Sequence, residues 1–422
     1  MEVQVDMNVK IRSVSVTNSL IFLMFSFASM DLFQFAGKTY FFYIGVLFIV
    51  YMILSQIKLH IFNDWLIIMI FVEFFVSGLF AQFSELNSDY KKTAYIMPFL
   101  VVPLFFEAGI FKSLIKRKEE ILHFVLKGIK VACIIQFCYI PIQYAFYNYG
   151  GVDINQEIFV NLLGSVENAS FIRDWVWYPS GITYHSAIIA PLMVLGIVLF
   201  NNVYFKILIF VDAMLCGSST ASIGVIVAVI LSILFRLLTK TESSKIKQHV
   251  IIMAMSVIIV LAIMFLNTDL LSLINGNFEY ILERFFSSSR DSSTSAHMLY
   301  FIRYPSIFLN SSLPQKLFGY GYNCSGAIFS VIDNRFNVGN WAIESEIMDR
   351  LYSLGIVGFL LYSIFLLNII IKGKKIDSRY TIIVLSIVIQ GFGYNLQWDY
   401  VFLIELIFYI CIKMNINIFK YQ

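Results

Sequence analysis

Apolar residues fall in long unbroken runs along nearly the whole chain, separated by short polar stretches. Runs of about 18 or more such residues are long enough to cross a bilayer as helices. Because they are continuous and do not alternate with period two, they exclude a transmembrane barrel. They predict helices over 17–36, 39–57, 64–83, 93–111, 120–146, 183–201, 203–217, 220–238, 247–266, 346–371, 379–395 and 399–414. Residues 203–238 read either as one long tilted helix or as two short ones broken at "CGSSTAS".

Charge decides between these. With the break, one side of the membrane receives Lys10 and Arg12, Lys58, Lys112 to Lys118, Lys206, Arg236 to Lys247, Lys372 to Arg379, and Lys413 with Lys420. Basic loops mark the cytoplasmic side, so that side is expected to be the cytoplasm, with both termini on it. Without the break, Lys240–Lys247 and Lys372–Arg379 would lie outside. The expected architecture is therefore an all-α polytopic membrane protein of about twelve spans. It forms one transmembrane domain over 1–422 with two long extracytoplasmic loops, 147–182 and a larger 267–345 containing short helices.

Composition agrees. The chain has 422 residues, 59% hydrophobic and 14% charged, with mean hydropathy +0.79. That leaves too little polar surface for a soluble domain. A net charge of +3 gives no reason to expect a nucleic-acid partner. The five cysteines are scattered, and the five histidines (60, 123, 185, 249, 297) share no ligand spacing, so neither a disulfide framework nor a metal site is expected. The first apolar run follows Lys10 and Arg12 but leads directly into further spans, and reads as a retained helix.

The chemistry concentrates in the two outer loops. "RFFSSSRDSSTSAHMLYFIRYPSIFLNSSLPQKLFGYGYN" places Arg290, His297 and Arg303 between apolar blocks and ends on Gly319, Gly321, Tyr322 and Asn323. "RDWVWYPSGITYH" repeats the theme with Arg173, Trp177, Gly181, Tyr184 and His185. An arginine in such a place has two roles open to it. It can pair with the acids of its own loop, which contributes little, or grip a phosphate through its planar fork of donors. The glycines serve tight turns or close approach to a ligand. The aromatics serve as interfacial anchors or as platforms for sugar rings.

Four segments resemble the bacterial O-antigen polymerase family (Wzy-type), within the superfamily that includes the O-antigen ligases. They are "RDWVWYPSGITYHSA", "CGSSTASIGVIVAVI", the Arg290–Asn323 stretch with its G-x-G turn, and "NWAIESEIMDRLYSLGIVGFLLY". The chain departs from the family pattern at His297, where many members carry arginine, and in a shorter spacing from Arg173 to Gly181. The resemblance implies a metal-independent glycosyltransferase without cofactor, in the bacterial inner membrane, with its active site facing the periplasm. Its substrate would be an oligosaccharide on undecaprenyl pyrophosphate, with membrane lipid and a polysaccharide chain-length regulator as partners. The growing glycan would pass to the non-reducing end of a new lipid-linked repeat, building O-antigen, capsule or exopolysaccharide. By the same resemblance Arg173, Arg290 and Arg303 would stabilise the departing pyrophosphate, and His297 or Glu344 would position or deprotonate the acceptor hydroxyl. Trp177, Tyr184 and Tyr322 would hold sugars, with Gly181, His185, Gly319, Gly321 and Asn323 completing the binding surface. An O-antigen ligase is the rival within the superfamily. A lipid-linked oligosaccharide flippase is the rival of another class, expected to have short loops and charges clustered among its helices.

Overall fold

The computed structural model describes residues 16–56, 64–84, 88–165, 171–173, 176–240, 304–326, 343, 345–395 and 399–422. Helix α1 (Val16–Ser26) leads into a hairpin of β1 (Gln34–Phe35) and β2 (Lys38–Thr39). The hairpin turns at Ala36 and Gly37, both at positive φ. Thr39 then caps α2 (Tyr40–Leu54) by accepting from the Phe42 amide, and Asp64 caps α3 (Trp65–Phe80) in the same way. Helices α4 (Ser88–Ile96) and α5 (Pro98–Arg117) form one apolar stretch that steps at Met97, where Pro98 supplies no amide. The 30-residue α6 (Ile121–Gly150) ends on Gly151 at φ +66°, the left-handed cap that glycine adopts without strain.

After a second hairpin, β3 (Phe171–Arg173) with β4 (Val176–Tyr178), come α7 (Ala190–Leu199), α8 (Val203–Leu215) and α9 (Ser219–Lys240). Residues 203–238 are therefore not one helix. The chain turns at Gly217, at φ +60°, and a Cβ there would lie 2.5 Å from the Tyr178 ring. The late loop contributes α10 (Tyr304–Asn310) and α11 (Leu313–Phe318), followed by α12 (Glu346–Ile376), α13 (Ser378–Gln390) and α14 (Asp399–Lys413).

Among the described residues, five stretches are long and apolar enough to cross a bilayer: Trp65–Phe83, Ser88–Arg117, Ile121–Gly150, Ser219–Leu238 and Glu346–Ile376. Four shorter apolar helices accompany them. Leu47, Leu54, Leu360 and Ile371 are each more than half exposed, as lipid-facing side chains are and those of a soluble monomer rarely are. This is an all-α membrane protein. The expected span at 247–266 lies outside the described residues. Lys127 and Lys130 stand in the second and third turns of α6, their ammonium groups over the Phe22 and Phe200 rings.

Helix α12 holds the assembly together, packing on α3, α11, α13 and α14, while α7, α9 and α13 pack on one another. Small residues allow the close approaches. A Cβ on Gly224 of α9, for example, would run into the Gln390 side chain of α13. Basic residues close α5 and α14. Lys413 closes α14 with an ion pair to Asp64 at 3.1 Å, and the Tyr409 hydroxyl donates to the same carboxylate. Lys116 and Arg117 close α5. Beyond α14 the chain folds back as a strap. The Tyr380 hydroxyl donates to the Ile416 carbonyl and accepts from the Ile418 amide, and Asn417 donates to Asp377.

Candidate functional site

The late loop reaches the bundle through two facing glycines. Within α12, Gly355 leaves helical geometry (φ 66°, ψ −172°). The kink releases the carbonyls of Tyr352 and Ser353, which accept from the amides of Tyr320 and Gly321, each at 3.0 Å. The freed backbone groups are thus paired again, as a buried kink requires. The approach leaves no room for side chains. A Cβ on Gly319 would stand 2.2 Å from the Ser353 oxygen, and one on Gly355 would stand 2.4 Å from the Leu317 oxygen. Beyond this dock, Tyr322 lies against Phe74 with ring centroids 4.7 Å apart. Cys324 is fully buried beside Ala81 and Ala94, and burial, with the Asp349 charge adding, pushes its thiol up to about 12. Ser325 donates to Asp349, as does Ser353 at 2.9 Å.

The first-loop segment enters the bundle as irregular, non-helical chain. Residues 179–183 are buried and non-helical. Backbone of this kind is tolerated among membrane helices only where protein groups satisfy it. Two glutamines one heptad apart on α6 supply them. Gln143 Oε1 accepts from the Ser180 and Gly181 amides (3.1 and 3.0 Å), and Gln136 Oε1 accepts from the Ile182 amide (2.8 Å). Asn155 donates to the Gly181 carbonyl at 2.8 Å. Gly181, at φ +71°, packs so close to Gln136 that a Cβ would clash with it. Trp177 is buried, stacked on Tyr147 at 4.0 Å, and donates its indole N–H to Asp153 at 2.8 Å. Tyr184 is 39% exposed. His185 caps the next turn, its Nδ1 accepting from the Ala187 amide at 3.1 Å, and its ring stacks on Tyr394 at 4.8 Å. That bond assigns the proton of the neutral ring to Nε2.

The late-loop segment borders a cavity of about 270 Å³. Tyr322 and Asn323 of the late loop form one part of its wall. Ser29 and Asp31 from the turn after α1, Lys38 and Thr39 from the first hairpin, and Tyr400 at the start of α14 form the polar remainder. The first-loop segment braces that second part from behind. The Ile182 carbonyl accepts from the Leu32 amide, and the Ile188 carbonyl accepts from both the Tyr400 and Ser29 hydroxyls. Met97 and Tyr400 border the cavity, so it lies where α5 and α14 begin, opposite their basic ends. The volume falls just under the ~300–1,000 Å³ of pockets that engulf a drug-sized molecule. One sugar ring or one phosphate fits it, and a longer glycan would extend out of it.

Behind Tyr322 stands a charged cluster on α12. Arg350 is 1% exposed. Its guanidinium carbon lies 5.3 Å from the Tyr322 ring and 5.2 Å from the Tyr362 ring, within cation–π range. Among the described residues, Nε, Nη1 and Nη2 have no hydrogen-bond partner. The Tyr362 hydroxyl sits 3.1 Å from both Glu346 Oε1 and Glu405 Oε2. Asp212, equally buried on α8, has neither oxygen hydrogen-bonded and takes no part.

Of the residues singled out in the sequence, Gly319, Gly321, Tyr322 and Asn323 come together at the dock and the cavity. Gly181, Tyr184 and His185 lie in the segment that braces the cavity wall, and Trp177 lies in its hairpin. Arg173 pairs through its backbone with Val176. Its side chain, and all of Arg290, His297, Arg303 and Glu344, lie outside the described residues. Sequence reasoning missed the anchoring role of Gln136 and Gln143, although two glutamines one heptad apart on an apolar helix were a readable signal. Among the described residues no group of His, Cys, Asp and Glu side chains is arranged to hold a metal. No family model matches the chain, and no curated protein matches it.

Proposed function

We propose that this protein polymerises lipid-linked oligosaccharides at the outer face of the bacterial inner membrane. The reading takes about twelve spans with both termini cytoplasmic. The observation that carries it is a cavity walled in part by Tyr322 and Asn323 of the late loop and braced from behind by the first-loop segment, where α5 and α14 begin, opposite their basic ends. A polyprenyl tail stays in the bilayer, at roughly 0.8 kcal/mol per buried methylene, so its diphosphate presents itself at that level.

In the reaction, the bond between the donor sugar's anomeric carbon and the diphosphate oxygen breaks. The acceptor hydroxyl oxygen forms the new bond to that carbon, and its proton passes to a base, His297 or Glu344. The leaving group is undecaprenyl pyrophosphate, and Arg173, Arg290 and Arg303 stabilise the charge that builds on it. Tyr322 holds a sugar at the cavity, and Tyr184 holds one outside its lining. Trp177 already stacks on Tyr147 and offers a substrate at most its other face. Each charge-stabilising donor lost should cost on the order of 3–4 kcal/mol in the transition state.

The test is alanine at Arg290 and at Arg303 in a strain lacking the native gene. Long-chain polysaccharide should collapse to single repeats at unchanged protein level, and full-length polymer from both variants would remove these residues from the site.

A second reading, transport of the lipid-linked saccharide, is favoured by the buried charges Glu73, Arg350 and Glu405 within the helices. Sealed proteoliposomes loaded with synthetic lipid-linked repeats separate the two. A polymerase lengthens the glycan, whereas a transporter moves unchanged repeats across the bilayer.

A further inference from the structure

We infer that Arg350 is a closed oxyanion-binding group and that Tyr322 is the shutter between it and the cavity. The inference does not depend on the polymerase reading, because it concerns binding by the protein alone.

The first support is the state of the guanidinium. It carries five N–H donors, none of its three nitrogens is hydrogen-bonded among the described residues, and it is fully buried. Buried donors are almost always satisfied, and an orphaned set points to an absent partner. No carboxylate among the described residues fills that place. Asp349 is held by Ser325 and Ser353, and it interacts with Asn395 as well. Glu346 and Glu405 both turn to the Tyr362 hydroxyl. Three carboxyls surround this one guanidinium, and Asp349 and Glu346 act on its charge, so while they are ionised the site has no net positive charge and the pull on an incoming anion comes from the directed donors alone.

The second support is Tyr322. It lines the cavity on one side and lies over Arg350 on the other. The backbone just before it is pinned to α12 by the Tyr320 and Gly321 amides, and Asn323 just after it takes a left-handed turn at φ +57°. A pinned base with a turn on its far side lets the ring swing while the loop stays docked. Turned aside, it opens a path from the cavity to the guanidinium fork. The group admitted must be small and must accept two parallel hydrogen bonds, as a phosphate or a carboxylate does. Lys38 in the same wall adds positive charge at the cavity, and Asp31 opposes it.

Phosphate and carboxylate have different sources, a lipid-borne diphosphate and an acidic sugar, so two probes are needed. The full chain, purified in detergent, is titrated with inorganic pyrophosphate and separately with glucuronate, following heat of binding and thermal stabilisation. Tyr322→Ala should bind one of them at least tenfold tighter than the unmodified protein. Adding Arg350→Gln should abolish that gain, and Arg350→Lys should retain only part of it, since a lysine supplies charge without the fork. Tightening for pyrophosphate alone assigns a phosphate ligand, and tightening for glucuronate alone assigns an acidic sugar. If Tyr322→Ala binds neither probe more tightly, or if the gain survives Arg350→Gln, the inference is wrong. Should Arg350→Gln fail to fold by gel filtration, the Arg350→Lys and Tyr322→Ala pair decides, and an unchanged affinity in both overturns it.

Discussion

Replacing Gly319 with alanine should undock the late loop from α12. The added Cβ would meet the Ser353 oxygen at 2.2 Å and the Gly355 nitrogen at 2.6 Å. These are backbone atoms of a packed helix and cannot step aside as a side-chain tip can. Gly319 also sits at φ 78°, ψ −166°, a region occupied almost solely by glycine, where another residue costs about 1–3 kcal/mol. The two docking hydrogen bonds from Tyr320 and Gly321 resist opening in both proteins and cancel from the comparison. The strain and clash relieved on opening shift the balance by about 3 kcal/mol toward the open loop, or about a hundredfold in its population. Cys324 reports on it. The thiol is fully buried and its pKa stands at about 12, so it is almost wholly protonated at pH 8 and slow to alkylate. On opening it should return toward ~8.5, the value of a free cysteine, and react. With the exposed Cys138 replaced by serine, maleimide labelling of Cys324 should speed up about a hundredfold in Gly319→Ala. An unchanged labelling rate and an unchanged melting temperature would refute the account of the dock.

Gln143→Leu leaves two buried amides without an acceptor and should destabilise the protein by about 2–5 kcal/mol. The reading is the melting temperature in detergent, and a shift under 2 °C would contradict it. Trp177→Phe keeps the stack on Tyr147 but loses the hydrogen bond to Asp153, costing about 1–2 kcal/mol, read in the same melt. Burial alone would raise the Asp377 carboxyl, but hydrogen bonds from Arg379 and Asn417 outweigh it and hold it below the usual carboxylate range. A depressed carboxylate stabilises the fold above its unfolded pKa, and that contribution fades as pH falls through the folded value. Acid scans of melting temperature should therefore show a loss below about pH 4 that Asp377→Asn lessens, and identical scans would exclude the strap as an acid-sensitive element.

The helices that carry the bilayer were legible because burial in lipid needs only composition and length. Trp65–Phe83, Ile121–Gly150 and the start of Glu346–Ile376 follow their apolar runs closely. The turn at Gly217 was legible for a different reason, since only a break there keeps the basic segments on one side. The docking of Gly319 on Gly355 was not legible, because hydrophobic periodicity describes one helix at a time and says nothing about which kink a distant loop will meet. The G-x-G pattern announced a turn and left its partner unnamed. Arg350 illustrates the same limit. A charge in an apolar run needs company, and the sequence does not say whether Glu405, Asp212 or another group supplies it. The fold brings Glu405 near through Tyr362 and places two tyrosine rings against the guanidinium instead of an ion pair.

The irregular stretch at Ser180–Thr183 bears on how the protein is made. Its peptide groups find acceptors only on α6, so the segment has no satisfied conformation in lipid until that helix stands beside it. A nascent chain could not release this piece into the bilayer by itself, as it can an ordinary hydrophobic helix. It would have to leave the insertion machinery together with α6 and α7 as a preassembled unit, so a lesion at Gln136 or Gln143 should appear first as failed biogenesis and early degradation.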